Sequence, residues 1–425
     1  MAIRHSFASV LVVGAGPAGA TAARTLALAG VPVRLLDRSA FPRNKPCGGG
    51  LSLRVVRRFP YLQRALERIP TLPVARLRLD GPDGASALIT SPVPAALMVR
   101  RVEFDALLVS LAVEAGAELL TGIEIVQAGM DEHGVRVSAR DGRQFAAPVV
   151  IAADGVHSVI ARRLGLNRGW AAERVALDLM EETPRTALTD VDPATLWVSY
   201  GHDLEGGPRG RAAAEGYAYV FPKPDHVNVG VGYLLSYYRR HIRARPYDLQ
   251  RDLVGRLRRD GLLQGESVRR HFTPYLIPVA GPLRRPGRGR VLLAGDAGGF
   301  VNAFTAEGIY YAMVSGDLAA RAVIETPDPP RGLVRRFRRS AAREIGRELR
   351  DAVLIQRYLF ADRARIARVL RNASRFPETT RAVLDYAAGE RSYASVRRHL
   401  LSRFPALALR VIWDTVGARA ARLSA

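Results

Sequence analysis

Hydrophobic residues fall into stretches of two kinds, short solid runs and alternating or helical patterns, and their order predicts the elements. The run Ser-Val-Leu-Val-Val at residues 9 to 13 is short and uniformly apolar, as a buried strand is. A glycine turn follows, then an alanine-rich helix to about residue 29, then a second strand over 31 to 36 that ends in Asp37. Residues 51 to 69 and 101 to 115 read as helices, the latter with Val102, Leu107, Leu108 and Leu111 near helical spacing. Leu77-Arg-Leu and Gly134-Val-Arg-Val-Ser alternate as strands do. Residues 146 to 153 form another solid strand, closing on Asp154-Gly155. From 172 to 280 alternation dominates, most clearly at Gly216-Tyr-Ala-Tyr-Val-Phe and His226-Val-Asn-Val-Gly-Val-Gly, and predicts an antiparallel sheet in a second domain. One more buried strand at 290 to 294 closes on Gly295-Asp296-Ala297. From about residue 333 the pattern turns Arg-rich and helical, with Pro377 and Pro405 as breaks.

The first turn has the most specific chemistry. Gly14-Ala15-Gly16-Pro17-Ala18-Gly19 stands between strand and helix, and Asp37 ends the next strand 18 residues past Gly19. In that context the spacing is a dinucleotide fingerprint. Gly14 permits the tight turn, Gly16 lets the backbone approach a pyrophosphate, and Gly19 lets helix and strand pack closely. The helix N-terminus supplies positive potential, and Asp37 would accept hydrogen bonds from ribose hydroxyls.

Composition bounds the rest. At 425 residues the chain exceeds the ~150-residue unit of a domain, and 48% hydrophobic with 24% charged residues is globular. The net charge of +23 raises nucleic acid or an anionic membrane as partners, but 61 of the 63 basic residues are arginine, a skew that compositional drift could produce. The excess concentrates in residues 331 to 425, with 22 Arg against 8 acidic residues. That tail is a solvated face, a membrane-attracted surface or a nucleic-acid surface, and no nucleic-acid module accompanies it. The N-terminus could pass for a secretory signal, although the fingerprint explains the same residues. Cys47 is the one cysteine, so no intramolecular disulfide framework or cysteine-cluster metal site exists, which suggests an intracellular protein. The eight histidines make no metal-like spacing, and no metal is expected. No stretch reaches the roughly 18 to 20 apolar residues that span a bilayer.

Three glycine-acid turns, Gly14 to Gly19, Ala153-Asp154-Gly155 and Gly295-Asp296-Ala297, each follow a hydrophobic strand. The trio resembles the FAD-binding domain shared by aromatic hydroxylases, halogenases and geranylgeranyl reductases. That resemblance implies cofactor contacts at Gly14 to Gly19, Asp37, Arg38, Asp154, Asp296, Gly308 and Ile309, and it places Arg101 beside the flavin. Phe41-Pro-Arg-Asn-Lys45-Pro46-Cys47-Gly48-Gly49-Gly50 is similar to the geranylgeranyl reductase signature that passes the flavin face, so Cys47 and Gly48 join the cofactor contacts. Tyr217-Ala-Tyr219-Val-Phe221-Pro222, with Gly230-Val-Gly232 downstream, resembles that family's substrate-cavity motif, and Gly295 to Ala312 resembles its flavin-closing segment. Departures occur at Tyr219, where Trp is usual, and at Ala303 and Ala306, where Pro and Gly are usual. Halogenases typically carry a Trp-x-Trp-x-Ile segment, and none of Trp170, Trp197 and Trp413 sits in one.

The implied fold is α/β (α+β overall): a discontinuous Rossmann-type FAD-binding domain over 1–75, 100–170 and 285–330, an antiparallel substrate domain over 76–99 and 171–284, and a C-terminal Arg-rich helical region over 331–425. The implied reaction is saturation of polyprenyl double bonds. These are not conjugated to a carbonyl, so a proton must arrive with or before the hydride. Cys47 is a candidate for proton delivery or substrate positioning, or else a small residue packed against the ring. Glu307 is a second acid or a holder of the loop before Gly308. Lys45, a further catalytic candidate, and Lys223 are the two lysines; both fall in motif segments, and they either mark sites where a compact ammonium matters or persist by chance. Tyr217, Tyr219 and Phe221 line a greasy tunnel or are ordinary strand residues. One nucleotide fingerprint implies transient NAD(P)H, or an electron-donor protein such as reduced ferredoxin, as the source of electrons. Location is expected to be cytoplasmic, or peripheral at the inner membrane face. The rivals are a monooxygenase or halogenase on the same fold and a membrane-associated electron-transfer flavoprotein.

Overall fold

The computed structural model describes residues 9–200, 215–375, 377–387 and 389–403. Val10–Val13 lies in the middle of a six-stranded sheet, parallel to Val33–Leu36 on one side and to Val149–Ala152 on the other. Strands buried on both faces need no polar side, which explains why Val-Leu-Val-Val and Val-Val-Ile-Ala show no alternation. Glu118–Leu120 extends one edge; Val291–Leu293 and the antiparallel Gly287–Arg288 extend the other. Helices Pro17–Leu28 and Ile309–Ile324 pack together on one face, so closely that a Cβ at Gly316 would lie 2.1 Å from the Ala18 carbonyl oxygen. An antiparallel meander, Ile125–Met130, Val135–Ala139 and Gln144–Ala147, covers the other face.

Helix Arg101–Glu114 forms where its periodicity predicts it. The expected helix over 51 to 69 is instead three pieces, Arg54–Arg58, Leu62–Ala65 and the 3-10 turn Leu66–Arg68, because Pro60 cannot continue the first.

The alternating region builds a seven-stranded sheet whose strands run, in order, Phe272–Pro278, Val175–Pro184, His226–Leu234, Gly216–Pro222, Thr195–Tyr200, Arg76–Asp80 and Ser86–Thr90. It is antiparallel except where Thr195–Tyr200 meets Arg76–Asp80. Alternation sorts its residues: Ala218 and Val220 face a helix, Pro246–Arg259, while Tyr217, Tyr219 and Phe221 gather on the opposite face. That helix and Leu235–His241 interrupt the stretch in which alternation predicts an antiparallel sheet. Its signal was Leu249, Leu253, Val254 and Leu257 at helical spacing after Pro246 at the first turn.

C-terminal helices Leu333–Ala341, Arg347–Phe360, Arg363–Arg375, Pro377–Ala387 and Tyr393–Arg403 complete the described chain. Leu333, Phe337 and Ala341 are buried while Arg335, Arg336, Arg338 and Arg339 face solvent. Pro405 lies outside the described residues. Among those described, no helix is long and apolar enough to cross a membrane.

Candidate active site

A cavity of about 990 Å³ runs from the C-terminal ends of the parallel strands to the aromatic face of the seven-stranded sheet. At its first end Gly14 adopts φ +96°, and a Cβ there would lie 2.3 Å from the Ala153 carbonyl oxygen; one on Gly19 would lie 1.7 Å from that of Gly14. Turn, helix and strand can be this close only without side chains. At Gly16 the nearest atom to such a Cβ is the Arg43 guanidinium, 3.8 Å away, so a cradle remains open before the helix N-terminus. Asp37 is fixed by the amides of Ala15 (2.7 Å) and Ser39 (2.8 Å) and lines the cavity beside Arg38. Asp154 accepts from the amides of Val159 (2.8 Å) and Ile160 (3.2 Å) through Oδ2, while its buried Oδ1 has no partner among the described residues. Burial raises its pKa. Asp296, Gly308 and Ile309 form the facing wall, where the helix Ile309–Ile324 begins. Ala15 and Gly19 lie behind the lining that Gly14, Gly16, Pro17 and Ala18 provide.

The Lys45 to Gly50 segment crosses the middle of the cavity. Cys47 Sγ accepts from the Gly49 amide (3.4 Å) and lies beside the Arg101 guanidinium. Arg101 is buried and held by a bidentate pair to Asp105 at 2.6 and 2.8 Å; burial acts to lower its pKa, and Asp105 more than offsets this. Lys45 places its ammonium 4.0 Å over the Tyr275 ring. Lys223 is fully enclosed and donates to the carbonyls of Gly48 (2.5 Å) and Val99 (2.6 Å); burial lowers its pKa to about 8. A Cβ on Gly49 would lie 2.1 Å from that ammonium, and one on Gly48 would lie 2.7 Å from the Phe221 ring. Asn228 Nδ2 adds a bond to the Cys47 carbonyl at 3.3 Å. The seven-stranded sheet thus clips the cysteine loop in place.

Beyond the loop the wall is aromatic. Ring contacts run from Phe221 to Tyr219 (4.7 Å), Tyr217 (6.1 Å), Tyr200 (5.5 Å) and Phe304 (5.5 Å), then to Phe360 of a C-terminal helix (6.2 Å). Tyr217 also donates to the Thr305 carbonyl at 2.8 Å, tying sheet to closing segment. Gly232 belongs to the lining; Pro222 and Gly230 do not, because Pro222 points to the far side of the sheet and Gly230 lies beneath the Tyr219 ring.

Residues 8–230 match the family described as FAD binding domain. A menaquinone reductase of Mycobacterium tuberculosis is 34% identical over 327 residues, covering 74% of this chain and 76% of the relative. A digeranylgeranylglycerophospholipid reductase 2 of Methanothermobacter thermautotrophicus is 30% identical over 373 residues, covering 82% and 87%. The chain belongs to the FAD-dependent geranylgeranyl reductase family. A solved geranylgeranyl bacteriochlorophyll reductase-like protein of Thermoplasma acidophilum shares the fold with a TM-score of 0.74 at 21% identity, covering 95% of this chain and 98% of its own. As a member of that family the protein is an FAD-dependent oxidoreductase. The open cradle at Gly16, the fixed carboxylate of Asp37 and the unpartnered Oδ1 of Asp154 suit an adenosine diphosphate moiety.

Within this reductase fold Glu307 is committed to a buried network. It accepts from Ser52 (2.8 Å) and Arg54 (2.7 Å); Arg54 also reaches Tyr311 (2.8 Å), Tyr386 and Glu348 (2.9 Å), and Glu348 bonds to both tyrosines. Burial pushes Glu348 up to about 7. Sequence reasoning did not find Arg54, Tyr200, Tyr275 or Asp178 among the site residues. Asp178 did carry a signal, an acid in the middle of an apolar strand, Ala-Leu-Asp-Leu-Met. Ala306, where the family usually has Gly, stands at φ +55°.

Proposed function

We propose that this protein saturates unconjugated carbon-carbon double bonds of a polyprenyl chain carried by a diphosphate, glycerolipid, quinone or pigment. The observation that carries the reading is the continuity of one cavity, from the dinucleotide cradle past the Cys47 loop to an aromatic wall. Flavin bound there supplies a hydride. Gly14, Gly16, Asp37, Asp154, Asp296, Gly308 and Ile309 hold and orient it, and Arg101 places a fixed positive charge beside it. Cys47, held by the Gly49 amide and by the Lys223 clip beside Arg101, positions the alkene between the two halves of the cavity. Tyr217, Tyr219 and Phe221 exclude water and turn ring faces toward any positive charge that develops on the chain. Polyprenyl chains are apolar over their whole length, so this lining suits them better than the polar aromatic substrates of hydroxylases.

Electrons come from transient NAD(P)H or from a donor protein such as ferredoxin, since the sequence carries one nucleotide fingerprint. Val383, Leu384 and Ala387 of a C-terminal helix line the cavity, and the exposed arginines of the helix Leu333–Ala341 add positive charge to the same region of the chain. Both features suit a cytoplasmic enzyme that takes lipid substrates at an anionic membrane surface.

The test is reoxidation of the flavin. Holoprotein reduced by dithionite without oxygen should regain its oxidised-flavin absorbance on addition of geranylgeranyl diphosphate or an unsaturated diether lipid, whose isolated double bonds are their only two-electron acceptors. If only a protein acceptor restores that absorbance, the chain is an electron-transfer flavoprotein and the proposal fails.

A further inference from the structure

Asp178 lies mid-strand on the aromatic face, buried and lining the cavity. An isolated alkene accepts a proton only from a reasonably strong acid. Carboxyls ionise near pH ~4, thiols near ~8.5 and phenols near ~10, so Cys47 and the tyrosines are poor donors. Several other carboxyls around the cavity are committed elsewhere: Asp37 and Asp154 to backbone amides, Glu307 to Arg54 and Ser52, Glu124 to Arg140. Asp178 instead meets one neutral donor, the Tyr219 hydroxyl, at 3.1 and 3.2 Å.

The two glycines on the neighbouring strand make this pair possible. A Cβ on Gly230 would lie 2.5 Å from the Tyr219 oxygen and would displace it from Asp178. Gly232 stands directly opposite Asp178, and a Cβ there would sit 3.8 Å from Oδ1, so its absence leaves open space beside the carboxyl. Tyrosine at 219, in place of the tryptophan usual in the family, gives this chain a hydroxyl at that spot.

We propose that Asp178 is the acid that protonates the alkene, with Tyr219 as the residue that positions its carboxyl. The inference rests on the prenyl reduction proposed above. The carboxyl O–H bond breaks and the alkene π pair forms a C–H bond, leaving a cation on the more substituted carbon. A hydride, the two-electron equivalent that reduced flavin supplies, closes that cation; the Asp178 carboxylate then regains a proton from water. The groups facing Asp178 are Tyr219 and Tyr217 from one strand, Tyr275 from another, and Lys45 and Cys47 from the loop. Burial raises the carboxyl pKa to about 6, against the pull of Tyr219 and Lys45, so the proton is held below that pH.

The experiment combines infrared titration of the oxidised holoenzyme with rates of flavin reoxidation by prenyl lipid. Wild type should show a protonated-carboxyl band that disappears with a midpoint near pH 6 and is missing from Asp178→Asn. Asp178→Asn should keep its flavin, accept electrons from dithionite normally and reoxidise with prenyl lipid about 100-fold more slowly or worse. Tyr219→Phe should stay active with both the band and the rate midpoint moved to higher pH, because the hydrogen bond that favours the carboxylate is gone. A wild-type-minus-Asp178→Asn difference spectrum with no carboxyl band titrating near pH 6, apart from the Glu181 and Glu348 bands that both proteins share, or a variant with wild-type rate and pH profile, overturns the assignment and leaves the reductase reading intact. A wild type that no prenyl lipid reoxidises removes that reading and the proton-donor role with it.

Discussion

Lys223 shows what a single side chain can be asked to do here. Its ammonium fills the gap between two carbonyls with no room for the wider guanidinium fork, which explains why it is a lysine in a chain that otherwise uses arginine. Lys223→Met should lower stability by about 1 to 3 kcal/mol, the cost of two unpaired buried carbonyls less the relief of removing a buried charge, as read by urea unfolding. Ala306 holds φ +55°, a conformation that costs a side-chain-bearing residue about 1 to 2 kcal/mol. Ala306→Gly should therefore raise the unfolding midpoint or leave it unchanged, and a fall would mean that the methyl group packs usefully. Glu181 gives the pH dependence. Burial raises its carboxyl to about 7 despite the Ser267 hydroxyl and Val268 amide, so it binds a proton in the folded state that the unfolded chain has released. Its stabilising contribution is complete below pH ~4.5 and is lost as pH rises through about 7. Glu181→Gln should consequently gain stability relative to wild type between pH 5 and 8, measured as the difference in urea midpoints at the two values.

Elements differ in how plainly the sequence announces them. The parallel strands were legible because burial on both faces leaves solid apolar runs, and the Tyr-x-Tyr-x-Phe alternation placed three rings on one face without further help. The helix Pro246–Arg259 was hidden because its apolar positions sit among arginines inside a stretch dominated by strands. The tie between Lys223 and the cysteine loop spans 175 positions of sequence, and local pattern has no access to contacts at that separation. The first βα unit carries its own test. Gly19→Ala places a methyl group against the Gly14 carbonyl with no flexible neighbour to yield, so helix and turn must separate. Flavin absorbance per protein after gel filtration should fall sharply in this variant, and in Asp37→Ala as well. Full occupancy in both would argue against the cradle described here.

At the scale of the whole molecule, Arg54 joins parts that are distant in sequence. It holds Glu307, both Glu348 and Tyr386 of the C-terminal helices, and Tyr311 of the helix Ile309–Ile324. Removing one partner from a buried ion network costs about 3 to 5 kcal/mol. Arg54→Met should lower stability by that order and speed hydrogen exchange in residues 302 to 309, where a purely local role would leave exchange unchanged. The same network explains how a helical region outside the nucleotide fold can close the cavity. The central claim is that the cavity hydrogenates prenyl chains, and the most direct measurement is mass spectrometry of lipids recovered after anaerobic incubation with the dithionite-reduced holoprotein. The account predicts products heavier by two hydrogen atoms for each double bond reduced. Lipids unchanged without oxygen but heavier by one oxygen atom when air and NAD(P)H are admitted would contradict it and make the protein a monooxygenase.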